Sequence, residues 1–432
     1  MVRQTIAAVL ALLSLSLAGG ASAAAPPAYY LDESKLPFDA LPGTSTTRLW
    51  GVHGGAGYRI EVPDAWNGVL VLYAHGYRGQ GLELTVSDPR IREYLVTHGY
   101  AWAASSYATN GYDVRQGVKD THALGELFNG LVGHPKRTYL TGHSMGGHIT
   151  GVAIEQYPNA YVGALPMCGV MGDVELFDFF LDYNLVAEAL AGLPGTFPFP
   201  ADYLTSVVPS VQAALGDGNP AHYPAALNAN GQALRSVVMN RSGGPRPAFA
   251  TSFYVWADFL FTVGTTGGDL GVAPGNVEDN WGTVYQIDSD PALSPAEVAL
   301  NAEVLRVRAD PQGIHPNGLA NIPVISGRLP IPVLSLHTIG DLFVPFSMEQ
   351  IYARRAAAQG MADRLVTRAI RDHGHCGFAV PEEEAAFVAL VDWVEHGVKP
   401  AGDDVLTPTN VASASFGCQF SVPGHLGFPA CP

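Results

Sequence analysis

Charge is scarce in this sequence and cysteine scarcer still. Only 14% of the residues are Asp, Glu, Lys or Arg, and the acidic ones prevail, giving a formal net charge of −16. That balance excludes a nucleic-acid partner, because phosphate binding needs a basic face. Past the first two dozen residues no segment reaches about 18 uninterrupted apolar residues, which excludes a transmembrane helix. There is no C-x-x-C pair, no H-E-x-x-H and no histidine cluster at helical spacing. Neither a metal nor a cofactor is therefore expected.

What is present begins with a leader. Arg3 supplies a positive start, Thr5 to Leu17 an apolar stretch, and Ala21-Ser22-Ala23 a cleavage site. Residues 1–23 are expected to be a signal peptide and the protein to be secreted, extracellular or periplasmic. The four cysteines, Cys168, Cys376, Cys418 and Cys431, then belong in disulfides. Three pairings are open, and the sequence alone does not choose between them. Short separation makes Cys418–Cys431 the pairing to test first, with Cys168–Cys376 left by elimination.

Apolar runs bounded by turn residues read as buried strands at 68–74, 100–104, 137–141 and 161–167, with helical spacing over 112–131 and 145–157. This alternation indicates a mostly parallel sheet with helices on both faces. It breaks at about 172 and resumes at 331–336 and 365–370 as strands, with helices over 347–359 and 381–396. About 400 residues after the leader exceed one ordinary core, so a large insertion is expected. The organisation is 24–171 and 331–398 as two parts of one core, 172–330 as an inserted cap, and 399–432 as a C-terminal extension. Helical pieces at 178–190 and 295–308 are expected within the cap.

Gly142-His-Ser-Met-Gly146 falls between a strand and a helix, as a G-x-S-x-G nucleophile elbow requires. The glycines suit a turn in which side chains would strike the neighbouring strand and helix. Downstream, Asp341 stands in Leu336-His-Thr-Ile-Gly-Asp-Leu-Phe-Val-Pro345, and His375 in Asp372-His-Gly-His-Cys-Gly-Phe378. These three segments resemble the elbow, acid loop and histidine loop of the α/β-hydrolase superfamily, over most of 60–170 and 330–396. The resemblance implies an α/β-hydrolase fold with the chain order Ser144, Asp341, His375. Serine needs a neutral imidazole to take its proton, and the imidazole needs a carboxylate to hold its tautomer. Asp173 is the alternative acid, His373 the alternative base. Ala74-His-Gly-Tyr-Arg78 resembles the family's oxyanion loop, which implies the N–H groups of Tyr77 and Met145 as oxyanion donors. His75 and His143 are expected to brace these loops, and Arg371 to His373 to form a salt-bridged rigid loop.

The expected activity is hydrolysis of a small or medium carboxylic ester through an acyl-enzyme. A peptidase or amidase on the same residues is the first alternative, since Asp269, Glu278, Asp279, Asp288 and Asp290 offer acids to a substrate's amino group. Tyr77 with Met145 also resembles the arrangement in cutinase-like polyester hydrolases. A non-catalytic binding module is the alternative outside enzymes. Oligomeric state is not legible.

Overall fold

Eight strands build the main sheet in the computed structural model, which describes residues 28–264, 275–311, 321–425 and 427–432. The expected signal peptide lies outside the described residues. The strands are β1 (Thr46–His53), β2 (Ala56–Pro63), β3 (Val69–Ala74), β4 (Ala101–Ser105), β5 (Arg137–His143), β6 (Gly163–Met167), β7 (Val333–Thr338) and β8 (Leu365–Ile370). Their spatial order is β8-β7-β6-β5-β3-β4-β2-β1. Pairings among β3 to β8 are parallel, whereas β2 runs antiparallel to both β1 and β4.

The parallel strands are apolar on both faces because helices cover both. Along β3, Leu70, Leu72 and Ala74 enter one core cluster while Val69, Val71 and Tyr73 enter the other. On the second face lie α1 (Arg92–Thr97) and, beside it, a long helix over Val380–His396, whose Phe387 ring meets that of Tyr94. The first face receives α2 (Val114–Leu131) and α3 (Met145–Gln156). In α2, Val114, Val118, Leu124 and Phe128 are buried at the expected spacing, and Asp113 caps the start by accepting from the Gln116 N–H.

The hairpin of β1 and β2 is absent from the expected alternation, which begins at residue 68. β1 is an edge strand with only partly buried residues, so its apolar alternation is weak.

Between β6 and β7 the chain is helical: α4 (Glu175–Leu190), α5 (Val208–Leu215), α6 (Ala229–Arg241), α7 (Phe249–Val263) and α8 (Pro295–Glu303). The aromatic runs noted in the sequence are α4 and α7, whose Phe177, Phe180, Phe253 and Phe261 join the first-face core. α8 opens with a capping box of Ser294 and Glu297 and stops short of the expected Arg308. Its end is closed by the Arg306 guanidinium, which donates to the Asn301 carbonyl. After β7 come α9 (Ser347–Ala358), α10 (Val380–His396) and the short α11 (Pro408–Val411). Pro381 sits at the second position of α10, not the first. Among the described residues no helix is long and apolar enough to cross a membrane.

Both disulfides join the pairs left by the shortest-separation argument, Cys418–Cys431 and Cys168–Cys376. The first closes 13 positions and the second 208. Chain entropy alone assigns them about 3 and about 5 kcal/mol respectively. Replacing Cys168 and Cys376 together by Ala is therefore expected to lower the urea midpoint more than replacing Cys418 and Cys431. Equal shifts would show that the long loop contributes nothing extra.

Candidate active site

Ser144 occupies the turn between β5 and α3 with φ 59° and ψ −120°. A non-glycine residue there is strained, and the surroundings hold it in place. Its N–H donates to the Met167 carbonyl at 2.9 Å, and its own carbonyl accepts from the Gly147 N–H at 2.8 Å. The flanking glycines are required by contact rather than by φ: a Cβ on Gly142 would stand 2.2 Å from the Gly146 carbonyl oxygen, and one on Gly146 would stand 2.0 Å from that of Ala74.

Asp341 follows β7 and is wholly buried. Its Oδ1 accepts from the N–H groups of Phe343 and Val344 at 2.9 and 3.0 Å, which leaves Oδ2 for His375 Nδ1 at 2.6 Å. On the other side of that ring, Nε2 lies 2.8 Å from Ser144 Oγ. Asp341 can only accept from Nδ1–H, so the neutral ring presents its Nε2 lone pair to the hydroxyl. The structure thus brings Ser144, His375 and Asp341 into one hydrogen-bonded chain.

The alternative residues are engaged elsewhere. Asp173 is buried in an ion pair with Arg355 and accepts from the Ile325 and Val174 N–H groups. His373 meets Ser252 Oγ at 2.8 Å and the Gly427 carbonyl at 3.1 Å.

On the opposite flank, a Cβ on Gly76 would lie 3.1 Å from Ser144 Cβ and 3.6 Å from Oγ. The Gly76–Tyr77 peptide is thereby held against the hydroxyl. Met145 is the first residue of α3, where N–H groups point out of the helix unpaired by its own carbonyls. His75 braces this loop: its Nδ1 lies 2.7 Å from the Gly76 carbonyl and 3.1 Å from Arg78 Nε, and its Nε2 3.2 Å from the Ser106 carbonyl. Burial, with help from Arg78, pulls its pKa down to about 4 and keeps it neutral. His143 turns away from the nucleophile side and sits 3.3 Å from buried Glu383.

Several residues escaped sequence reasoning because their partners are remote in the chain. Arg90 pairs with Glu383 and donates to the Cys376 and Phe378 carbonyls, so it grips the loop just beyond His375. Arg246 is buried beneath the Asp341 loop with its Nε–H on the Ile339 carbonyl at 2.6 Å. Burial lowers its pKa to about 9, against the opposing pull of Asp341. Rings form a continuous series from Tyr77 through Tyr112, Phe177 and Phe180 to Phe343, whose edge meets the His375 imidazole at 5.0 Å.

The loop at 371–373 has no salt bridge within it, and its partners lie elsewhere in the chain. Arg371 donates to three carbonyls of the C-terminal extension, those of Ala414, Phe416 and Pro429. Asp372 pairs with His425, which also meets Glu382. The acids that could receive an amino group differ in their surroundings. Glu278 is buried, and Asp279, Asp288 and Asp290 accept from nearby backbone N–H groups. Asp269 lies outside the described residues.

The sheet order, the elbow after β5, the acid after β7 and the histidine after β8 form one pattern. This is the α/β-hydrolase fold. A crystal structure of feruloyl esterase B from Aspergillus oryzae matches it with a TM-score of 0.51 at 14% identity, covering 87% of this chain and 86% of that one. An esterase structure from Aspergillus oryzae matches with a TM-score of 0.47 at 14% identity, covering 82% and 81%. By sequence, the chain is similar to the o-phthalyl amidase of Xanthobacter agilis, at 22% identity over 82% of this chain and 89% of that protein. No family model matches.

The His425 bridge predicts a pH effect. Burial lowers its pKa, but the carboxylates of Glu382 and Asp372 outweigh burial and raise it above the ordinary 6.5. A raised histidine stabilises the folded state fully below its unfolded pKa and loses that contribution as pH rises through the folded one. The stability gap between wild type and His425→Gln should therefore be largest below about pH 6.5 and shrink on the alkaline side. Hydrogen exchange of residues 421–425 across that range measures it; a gap that widens with pH would contradict the bridge.

Proposed function

We propose that the protein is a secreted serine hydrolase that cleaves carboxylic esters through an acyl-enzyme. Ser144 is the nucleophile, His375 the base and then the acid, and Asp341 the carboxylate that orients the ring. The observation that carries this reading is the unbroken run from Asp341 Oδ2 through His375 to Ser144 Oγ, at 2.6 and 2.8 Å.

The geometry supports the following sequence. His375 Nε2 accepts the Ser144 proton as Oγ bonds to the acyl carbon, and Asp341 stabilises the imidazolium. The carbonyl electrons move onto oxygen, which accepts hydrogen bonds from the Tyr77 and Met145 N–H groups, each donor worth about 3–4 kcal/mol. As the tetrahedral species collapses, Nε2 returns the proton to the departing alcohol. Water then repeats the cycle on the acyl-enzyme and frees the acid.

For the acyl group, the partly buried rings of Tyr77 and Phe343 flank the site on the oxyanion and base sides and support an aryl acid of small or medium size, while Tyr112, Phe177 and Phe180 between them belong to the core. Two of the three proteins compared above are named for aromatic acyl groups, feruloyl and phthalyl. The amidase relative supports a second reading, in which the same acyl-enzyme forms from an amide. Two disulfides among the described residues support a location outside the cytoplasm.

Ser144→Ala and His375→Ala are each expected to lower kcat by several orders of magnitude with the fold intact, because they act as one unit. Retention of a tenth of the wild-type rate by Ser144→Ala would overturn the proposal. Asp341→Asn should lower kcat, by roughly 10⁴ on the precedent of such carboxylates, whereas Asp173→Asn should cost stability and leave kcat near wild type. Turnover of a p-nitrophenyl benzoate against the matching anilide separates ester from amide hydrolysis.

A further inference from the structure

The loop that delivers His375 is held from α7, a helix of the segment inserted between β6 and β7. Trp256 Nε1–H donates to the His373 carbonyl at 2.8 Å. One turn earlier, Ser252 Oγ lies 2.8 Å from His373 Nδ1. The Gly427 carbonyl on Nε2 can only accept, so in the neutral ring Nε2 carries the proton and Nδ1 accepts from Ser252.

The same helix also touches the loop that delivers Asp341. The Trp256 ring stacks on Phe343 with centroids 6.3 Å apart and planes 29° from parallel, and Phe259 meets Phe343 edge-on at 5.0 Å. Phe343 in turn packs against the His375 ring and belongs to the turn whose N–H groups bind Asp341. One tryptophan therefore bears on the acid loop through its ring and on the base loop through its N–H. The core supplies only part of what holds these two loops in register: the Gly340 N–H on the Asp372 carbonyl and the Thr338 hydroxyl on the Gly374 carbonyl.

We propose that α7 is a positioning element for the base, with Trp256 and Ser252 keeping the 372–375 loop where His375 reaches both Asp341 and Ser144. The proposal rests on the serine-hydrolase reading above. It makes the inserted segment part of the machinery rather than only a wall of the substrate cleft. A displacement of about 1 Å at a reacting group costs on the order of 10²-fold in rate, so partial release of this loop is large enough to measure.

The test uses the full-length protein and three variants: Trp256→Phe, which keeps a ring but removes the N–H donor, Ser252→Ala, and Tyr254→Ala as a control. Tyr254 is on the same helix and 58% exposed. For Trp256→Phe the expected result is a kcat lower by about tenfold with KM within about twofold, the signature of an interaction needed in the transition state rather than in binding. Ser252→Ala should move kcat in the same direction by a smaller factor. Weakened contact with Asp341 destabilises the imidazolium, so the acid limb of the kcat/KM profile should shift to lower pH in both. Tyr254→Ala should match wild type. Melting temperatures taken alongside separate loss of positioning from loss of fold.

A kcat within twofold of wild type and an unmoved acid limb in both variants would overturn the proposal, as would a rise in KM alone. Fluorophosphonate labelling keeps this failure distinct from that of the parent reading. Wild-type protein that does not label at Ser144 refutes the serine hydrolase. Wild-type protein that labels, with Trp256→Phe labelling at the same rate, refutes only the role of α7.

Discussion

With a side chain at position 146, Cβ would stand 2.0 Å from the Ala74 carbonyl oxygen. The start of α3 and the end of β3 touch backbone to backbone, and little else in the site could stand where it does without that approach. It sets the elbow that forces Ser144 to φ 59° and brings the Gly76–Tyr77 peptide beside the hydroxyl. It also aims the first N–H groups of α3 at the space between them. Strain of order 1–3 kcal/mol at one residue is tolerated because α3 and the parallel strands are packed too tightly to relax it.

The residues facing this elbow are held by a different principle. No single element fixes His375. Arg90 reaches its loop from the turn before α1, Cys168 from the end of β6, Trp256 and Ser252 from α7, and Arg371 with Asp372 through contacts to the C-terminal extension. Cys168 and Cys376 both carry positive φ, 44° and 56°. Such conformations persist only where surrounding contacts over-determine them. Arg90 and Arg371 donate here to backbone carbonyls, which ties segments remote in the chain together.

The reliability of sequence reading tracked how local its signal was. Gly142 to Gly146 announces itself because turn, strand and helix lie within a dozen residues. Asp341 and His375 were legible through short glycine-bearing loops after apolar strands, and the parallel strands through apolar runs that only two-sided burial explains. β1 and β2 were not: β1 lies at the sheet edge with no buried residue, and β2 buries Glu61 beside Ile60, so neither strand shows a clean apolar pattern. Trp256 carries no local mark at all: its run, Phe253 to Phe261, signals burial of an apolar helix, but which face bears on residue 373 is a property of the assembled fold. Arg90 and Arg246 were invisible for the same reason, being isolated arginines whose acceptors lie 286 and 93 positions away. The expected salt bridges within 371–373 failed in a related way, since carboxylate and guanidinium neighbours in sequence found remote partners.

The separation of Ser144 from His375 by 231 positions governs when the protein can act as well as how. Chain elongation at about 5–20 residues per second puts roughly 10–50 seconds between the emergence of the two residues. Throughout that interval the elbow, its strand and its helix can be complete while the hydroxyl has no base beside it. On the serine-hydrolase reading proposed above, the nascent polypeptide is chemically mute until nearly its whole length has been made, and a truncated product ending anywhere in the long helical segment carries a serine with nothing to activate it.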